Sequence, residues 1–177
     1  MQRHSFPVSV PMCRVIKQMK ETTEERSLDK ADRKILRFLQ KDGRMANADL
    51  AVKANISAAT CHRRIQMLFK AGFIRSVRAL LDPALLDLGS LVLVGVVLDR
   101  STPESFAAFE QAIRTIPAVL DCHLVAGDFD YFLKIRVKDM TDFNRLHGSK
   151  LLALPGVRQT RTFFVMKEVV DNAPLDI

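Results

Sequence analysis

The run Ile116-Pro117-Ala118-Val119 is echoed later in the chain by Leu154-Pro155-Gly156-Val157. Each copy follows an apolar pattern of helical period and opens a stretch that begins on valine. Proline ends a helix and valine favours a strand, so each copy marks a helix-to-strand passage. Strands are predicted at 91–98, 119–126, 131–137 and 157–165. One helix opens at Pro103 and carries Phe106, Phe109, Ile113 and Ile116. Another is capped by Asp139 or Thr141 and carries Phe143, Leu146 and Leu151. Gly127-Asp128 turns the chain between the second and third strands. Two β-α-β units joined by a hairpin give β-α-β-β-α-β, the ferredoxin-like topology. Its helices cover one sheet face, and the other is left for a partner, most economically a second copy.

The preceding residues have a different rhythm. Asp29 can cap a helix, with Asp32 adding charge near its positive end. Ile35, Leu36 and Leu39 form its stripe, with Phe38 beside them, and Gly43 stops it. Asn47 is placed to cap a second, short helix with Leu50, Ala51 and Ala54 inward. Asn55 and Ile56 turn the chain. Ser57 then caps a third helix in which Cys61, Ile65, Leu68 and Gly72 share one side, with Gly72 suited to a left-handed end. His62, Arg63 and Gln66 fall on another side, with Arg64 at its margin. Three short helices with a tight turn between the last two read as a helix-turn-helix, the third entering the major groove of DNA.

Charge agrees with that reading. Residues 1–91 hold 17 Lys and Arg against 9 Asp and Glu, net +8, whereas residues 92–177 hold 10 against 11, net −1. The front half suits a polyanion. Arg63 and Arg64 can neutralise phosphates or meet guanine through two hydrogen bonds, and His62 can reach a base or a phosphate. Ser57 and Thr60 sit at the helix start, where N–H and hydroxyl groups hold phosphate. Arg44 and Lys53 are expected on the DNA backbone. An RNA-binding reading of the β-α-β-β-α-β half lacks its aromatic and basic strand signature.

The basic start, residues 1–27, is interrupted by Pro7 and Pro11 and is expected to be a flexible tail, not a secretory signal. Met12 and Met19 are alternative starts. No apolar run approaches 20 residues, so no membrane partner is expected. Cys13, Cys61 and Cys122 are widely spaced and expected to be reduced, with Cys61 on the buried stripe. Cys61-His62 and Cys122-His123 are adjacent pairs that do not form a nucleophile with its base. No zinc spacing or glycine-rich phosphate loop occurs, so no catalytic residue, metal or cofactor is predicted.

Four ordered runs carry a resemblance: LDKADRKILRFLQKDGR at 28–44, ISAATCHRRIQML at 56–68, CHLVAGDFDYFLKIRV at 122–137 and LPGVRQTRTFFVMKEV at 154–169. They resemble the Lrp/AsnC, or leucine-responsive regulatory protein, family of transcriptional regulators. The fold class implied is α+β: an N-terminal helix-turn-helix, winged-helix-like domain and a C-terminal ferredoxin-like βαββαβ effector-binding domain. The organisation becomes a tail at 1–27, a DNA-binding domain at 28–73, a linker strand at 74–90, a ligand-binding and oligomerisation domain at 91–171, and a tail at 172–177. The resemblance implies double-stranded DNA, an amino acid effector and a homodimer assembling to an octamer or similar disc as partners. It further implies control of amino-acid metabolism in a prokaryotic cytoplasm, at the nucleoid. An architectural DNA-bending protein without effector response is the alternative.

From its own residues the hairpin Gly127-Asp128-Phe129-Asp130-Tyr131 offers carboxylates for an ammonium and turn N–H groups for a carboxylate. Carried from the family, the effector site implies Leu124, Gly127, Asp130, Met140, Thr160, Thr162, Phe163 and Phe164, between neighbouring dimers. Three departures stand out. Ala58 and Thr60 replace frequent prolines, Met67-Leu68-Phe69 replaces Arg-Leu-Glu, and Phe163-Phe164 replaces Tyr-Val. The larger Phe164 is expected to shrink or reshape the pocket.

Overall fold

The computed structural model describes residues 27–177. The expected tail, with Cys13, Met12 and Met19, therefore lies outside the described residues except for Ser27. The chain divides into two compact units, Met1–Arg78 with Pro174–Ile177, and Ala79–Ala173.

In the first unit three helices follow one another: α1 Lys30–Lys41, α2 Asn47–Ala54 and α3 Ala58–Lys70. Asp29 caps α1 through a reciprocal box. Its carboxylate accepts from the Asp32 N–H at 2.8 Å, and the Asp32 carboxylate accepts from the Asp29 N–H at 3.4 Å. Ile35, Leu36, Leu50, Ala51, Ala54, Cys61 and Leu68 bury together as the core, with Phe38, Leu39, Ile56 and Ile65 packed around them. The cap predicted for Asn47 is not formed. Ala46 occupies that place, and Asn47 Nδ2 donates across to the Ala58 carbonyl at 2.9 Å. Its amide is used to tie α2 to the start of α3, taking a second lone pair of the Ala58 carbonyl. Asn55 takes the left-handed turn at φ 58, and Gly72 ends α3 at φ 80. The residues at 174–177 belong to this unit: Leu175 N–H donates to Gln40 Oε1 at 2.7 Å, and Gln40 Nε2 donates to the Leu175 carbonyl at 3.2 Å.

The linker strand predicted at 74–90 is not formed ahead of Ser90. A strand exists only through its ladder, and among the described residues no second strand pairs with this segment. Val77, Leu80 and Leu81 stay exposed. The Asp82-Pro83 turn is present and leads into a single 3₁₀ turn at Ala84–Leu86.

The second unit is β1 Ser90–Leu98, α4 Pro103–Ile113, β2 Val119–Leu124, β3 Tyr131–Val137, α5 Met140–Leu146, a π-turn at His147–Leu151, and β4 Val157–Phe164. The strands form one antiparallel sheet in the order β2-β3-β1-β4, as the paired helix-to-strand passages predict. Period-two alternation in β1 and β3 sends Val92, Val94, Val96, Leu98, Tyr131, Leu133, Ile135 and Val137 to the helix side. There they bury against Phe109, Ile113, Ile116, Phe143, Leu151 and Leu154. Register places Gly95 opposite Phe132 and Arg161 on the other face. The Phe129 ring folds down onto Gly95, where a Cβ would sit 2.7 Å from it, so glycine is required there by close approach. Phe132 and Phe163 meet that ring edge-on, and the Arg161 guanidinium lies 5.7 Å from its centre. No helix of the second unit covers this aromatic patch.

Candidate DNA-binding and effector sites

The geometry of α3 follows from its cap. Ser57 Oγ accepts from the Thr60 N–H at 3.2 Å and donates to Thr60 Oγ1 at 2.9 Å. The two hydroxyls are tied to each other at the exposed helix start. With Cys61 and Leu68 buried, the 3.6-residue period turns His62, Arg63, Gln66 and Met67 to solvent. Among the described residues Arg63 pairs with no carboxylate. Its nearest partner is the Met67 sulfur at 3.4 Å.

Arg64 has a different task from the one predicted. Its Nη1 lies 2.6 Å from Asp29 and 2.8 Å from Asp32, bridging α3 to the start of α1. Two carboxylates beside one another at a helix start attract the margin arginine inward, because their attraction is stronger than solvation alone. The Asp32 backbone N–H, and then Arg64, hold the Asp29 carboxyl below the ordinary carboxylate range. The carboxylates of Asp32 and Asp29 raise Arg64 in turn. Arg64 is thus withdrawn from the outward set. Lys53 rests its ammonium 5.3 Å from the centre of the Phe38 ring, and Arg44 lies exposed beside it along a shallow depression with Asp42, Met45, Asp49 and Val52.

The predicted effector residues fall into two groups. Leu124, Gly127, Asp128 and Asp130 lie at the β2–β3 hairpin, and Thr160, Thr162, Phe163 and Phe164 on β4, with Met140 at the start of α5. Strands β2 and β4 are opposite edges of the sheet, so Leu124 lies three spacings, or about 14 Å, from β4. The hairpin tip instead folds over β1, where the Asp130 N–H donates to the Val96 carbonyl at 2.9 Å and the Phe129 ring meets Phe163. Tyr131 is removed from the candidates. It is buried at 1% exposure, stacked on Phe109 at 4.5 Å, with its hydroxyl donating to Glu110 at 2.9 Å. Alternation along β3 points it into the core, and burial, then Glu110, push its ionisation upward.

Asp130 is committed to the hairpin. Its Oδ2 accepts from the Leu98 N–H at 2.8 Å, and its Oδ1 from Ser101 at 3.2 Å. Asp128 is exposed and is the freer carboxylate. Asp130→Ala is expected to cost about 1–3 kcal/mol, since the half-buried Leu98 N–H loses its acceptor. Urea unfolding checks this, and an unchanged midpoint would sink the anchoring role.

On β4, Thr160 and Thr162 point to the helix side with Phe164, whereas Phe163 joins the aromatic patch. Thr160 Oγ1 lies 2.8 Å from His147 Nε2, and Phe164 meets Phe143 edge-on at 5.3 Å. His147 gave no pattern signal, because a lone histidine after a helix looks like any surface residue. Phe129 was seen only as a hairpin member, since sequence spacing does not show which strand a loop ring covers.

Neither described cysteine is poised to react. Burial raises Cys61, and burial, then the Glu110 charge, push Cys122 up to about 11. At pH 8 about one Cys122 in a thousand is thiolate. Iodoacetamide is expected to leave both unlabelled in the native protein and to label both in denaturant. Peptide mass mapping reads the result, and rapid native labelling of Cys122 would contradict it.

A helix-turn-helix presenting a cationic helix, joined to a βαββαβ unit with an uncovered face, defines a two-domain DNA-binding regulator. Residues 28–75 match the model of the winged helix-turn-helix DNA-binding domain, and residues 91–175 that of the Lrp/AsnC ligand-binding domain. The chain belongs to the Lrp/AsnC family of transcriptional regulators. The leucine-responsive regulatory protein of Haemophilus influenzae is 46% identical over 158 residues, 89% of this chain and 95% of that protein. The protein of the same name from Escherichia coli is 46% identical over 152 residues, 86% of this chain and 93% of its own length. A transcriptional regulator of Neisseria meningitidis, solved as an L-Met complex, superposes with a TM-score of 0.80 at 34% identity, covering 85% of this chain and 97% of that one.

Proposed function

We propose that this protein is an amino-acid-responsive transcriptional regulator of amino-acid metabolism and not an enzyme, acting on the nucleoid in a prokaryotic cytoplasm. The observation that carries the reading is the exposed face of α3, where His62, Arg63 and Gln66 share one side and Arg63 has no carboxylate partner. These side chains enter the major groove, and Ser57, Thr60, Arg44 and Lys53 hold the flanking phosphates. The aromatic patch of Phe129, Phe132 and Phe163 is the face on which a second copy packs. Dimers of this kind set two α3 helices at half-sites one or more helical turns apart, and dimers assemble further to an octamer.

The effector is an apolar α-amino acid, held where the hairpin of one chain meets the β4 edge of another. Leu124, Gly127 and Asp128 come from the first, and Met140, Thr160, Thr162, Phe163 and Phe164 from the second. Three features support this: the placement of Leu124 and the β4 residues on opposite sheet edges, the L-Met complex of the Neisseria neighbour, and the leucine-responsive naming of the relatives. The effector alters assembly and thereby the spacing of the α3 pairs, which changes operator affinity.

The test is a titration of the twenty amino acids against the protein bound to a labelled operator fragment, read by fluorescence anisotropy. One or a few apolar amino acids are expected to shift the binding curve. A curve that no amino acid moves would remove the effector from this account and leave an architectural DNA-bending protein.

A further inference from the structure

His147 stands where α5 gives way to the π-turn His147–Leu151. Single π-turns are frequent at functional sites, where the extra residue re-aims a side chain. The half-buried imidazole packs over Phe143, ring centres 5.5 Å apart, and Phe143 abuts Phe164. Its Nε2 reaches Thr160 Oγ1 at 2.8 Å. A polar contact thus spans from the helix layer to the edge strand, among residues assigned to the effector.

A threonine hydroxyl has one proton and two lone pairs, whereas a carboxylate only accepts. Thr160 can serve a carboxylate only when its own proton is free. If the imidazole accepted from Thr160, only lone pairs would face the ligand. If Nε2–H donates, the Thr160 proton is released to turn outward.

We propose that His147 is a positioning residue of the effector site: its Nε2–H donates to Thr160 Oγ1, and the Thr160 O–H donates to the carboxylate of the bound α-amino acid. This rests on the effector reading above. It also explains why a polar ring occupies an otherwise aromatic corner formed by Phe143 and Phe164.

The test is calorimetric titration of the full chain with L-methionine, L-leucine and 3-(methylthio)propylamine, the last being methionine without its carboxylate and so without an acceptor for the Thr160 O–H. His147→Leu is expected to weaken L-methionine about tenfold and leave 3-(methylthio)propylamine unchanged. His147→Gln, which keeps a side-chain N–H donor, is expected to recover most of the affinity. The double variant with Thr160→Val is expected to bind no more weakly than Thr160→Val alone. A purely structural role would weaken L-methionine and 3-(methylthio)propylamine alike and lower the melting midpoint of the ligand-free protein. That pattern overturns the proposal, as does a His147→Leu variant that binds L-methionine like the wild type, or losses that add in the double variant. If the wild type binds neither L-methionine nor L-leucine, the effector reading itself fails and this assignment falls with it. If it binds and His147→Leu binds equally, only the role of His147 is lost.

Discussion

Arg63→Ala is expected to weaken operator binding by about 1–3 kcal/mol while leaving the folded chain as stable as before. Arg63 is exposed and touches only the Met67 sulfur, so nothing in the fold depends on its charge. A guanidinium on a base would lose sequence discrimination when removed, whereas one on a phosphate would lose affinity evenly and reduce the salt slope by about one unit. The neighbouring substitution gives the contrast. Arg64→Ala is expected to lower stability by about 1 kcal/mol, a modest figure because Asp29 is half exposed and water screens the pair. Its first effect on DNA is then indirect, through a looser seating of α3 against α1. Anisotropy titrations at several salt concentrations, paired with thermal melts, separate the two arginines. The assignment fails if Arg63→Ala binds normally or if Arg64→Ala gives the larger loss without destabilisation.

Phe109→Ala is expected to have the largest effect on folding, about 3–5 kcal/mol. The ring is fully buried and lies 4.5 Å from Tyr131, which Phe106 also flanks edge-on at 5.9 Å. Removing it leaves a cavity beside a phenol whose hydroxyl is held by Glu110, so Tyr131 cannot swing in to fill the space without breaking that bond. The loss belongs to the second unit. Its melting transition should fall by many degrees, with assembly failing in parallel, while the helix-turn-helix unit has its own core around Leu50 and Leu68. Urea unfolding followed by circular dichroism measures this. A loss below about 1 kcal/mol would mean that the site collapses around the gap.

Most of the local architecture was legible in the chain. Asp29 and Ser57 cap the helices they were expected to cap, and of the two candidates Asp139 and Thr141 it is Asp139 that caps the next, because a short oxygen side chain ahead of an apolar stripe has few other uses. The two helix-to-strand passages ordered the second half, and the helix stripes placed Phe109, Ile113, Ile116, Phe143 and Leu151 in its core. Site membership was harder to read. Arg64 and Arg63 are neighbours with the same chemistry, and only the placement of Asp29 and Asp32 at the end of another helix sends one inward. Tyr131 looked like a hairpin residue until alternation was counted from a strand that begins on it.

What the sequence alone determined is therefore what short-range physics controls: caps, periods, turns, the charge split and the family pattern, all of which act within a few residues or along one element. What only the tertiary structure decided is which distant groups meet. The Arg64 bridge, the Phe129 ring on Gly95, the Asp130 anchor and the His147–Thr160 contact each join residues from different elements. The placement of Leu124 and the β4 candidates on opposite sheet edges is of the same kind. Such meetings depend on strand order and helix seating, which the energy of the whole core sets and no local window contains.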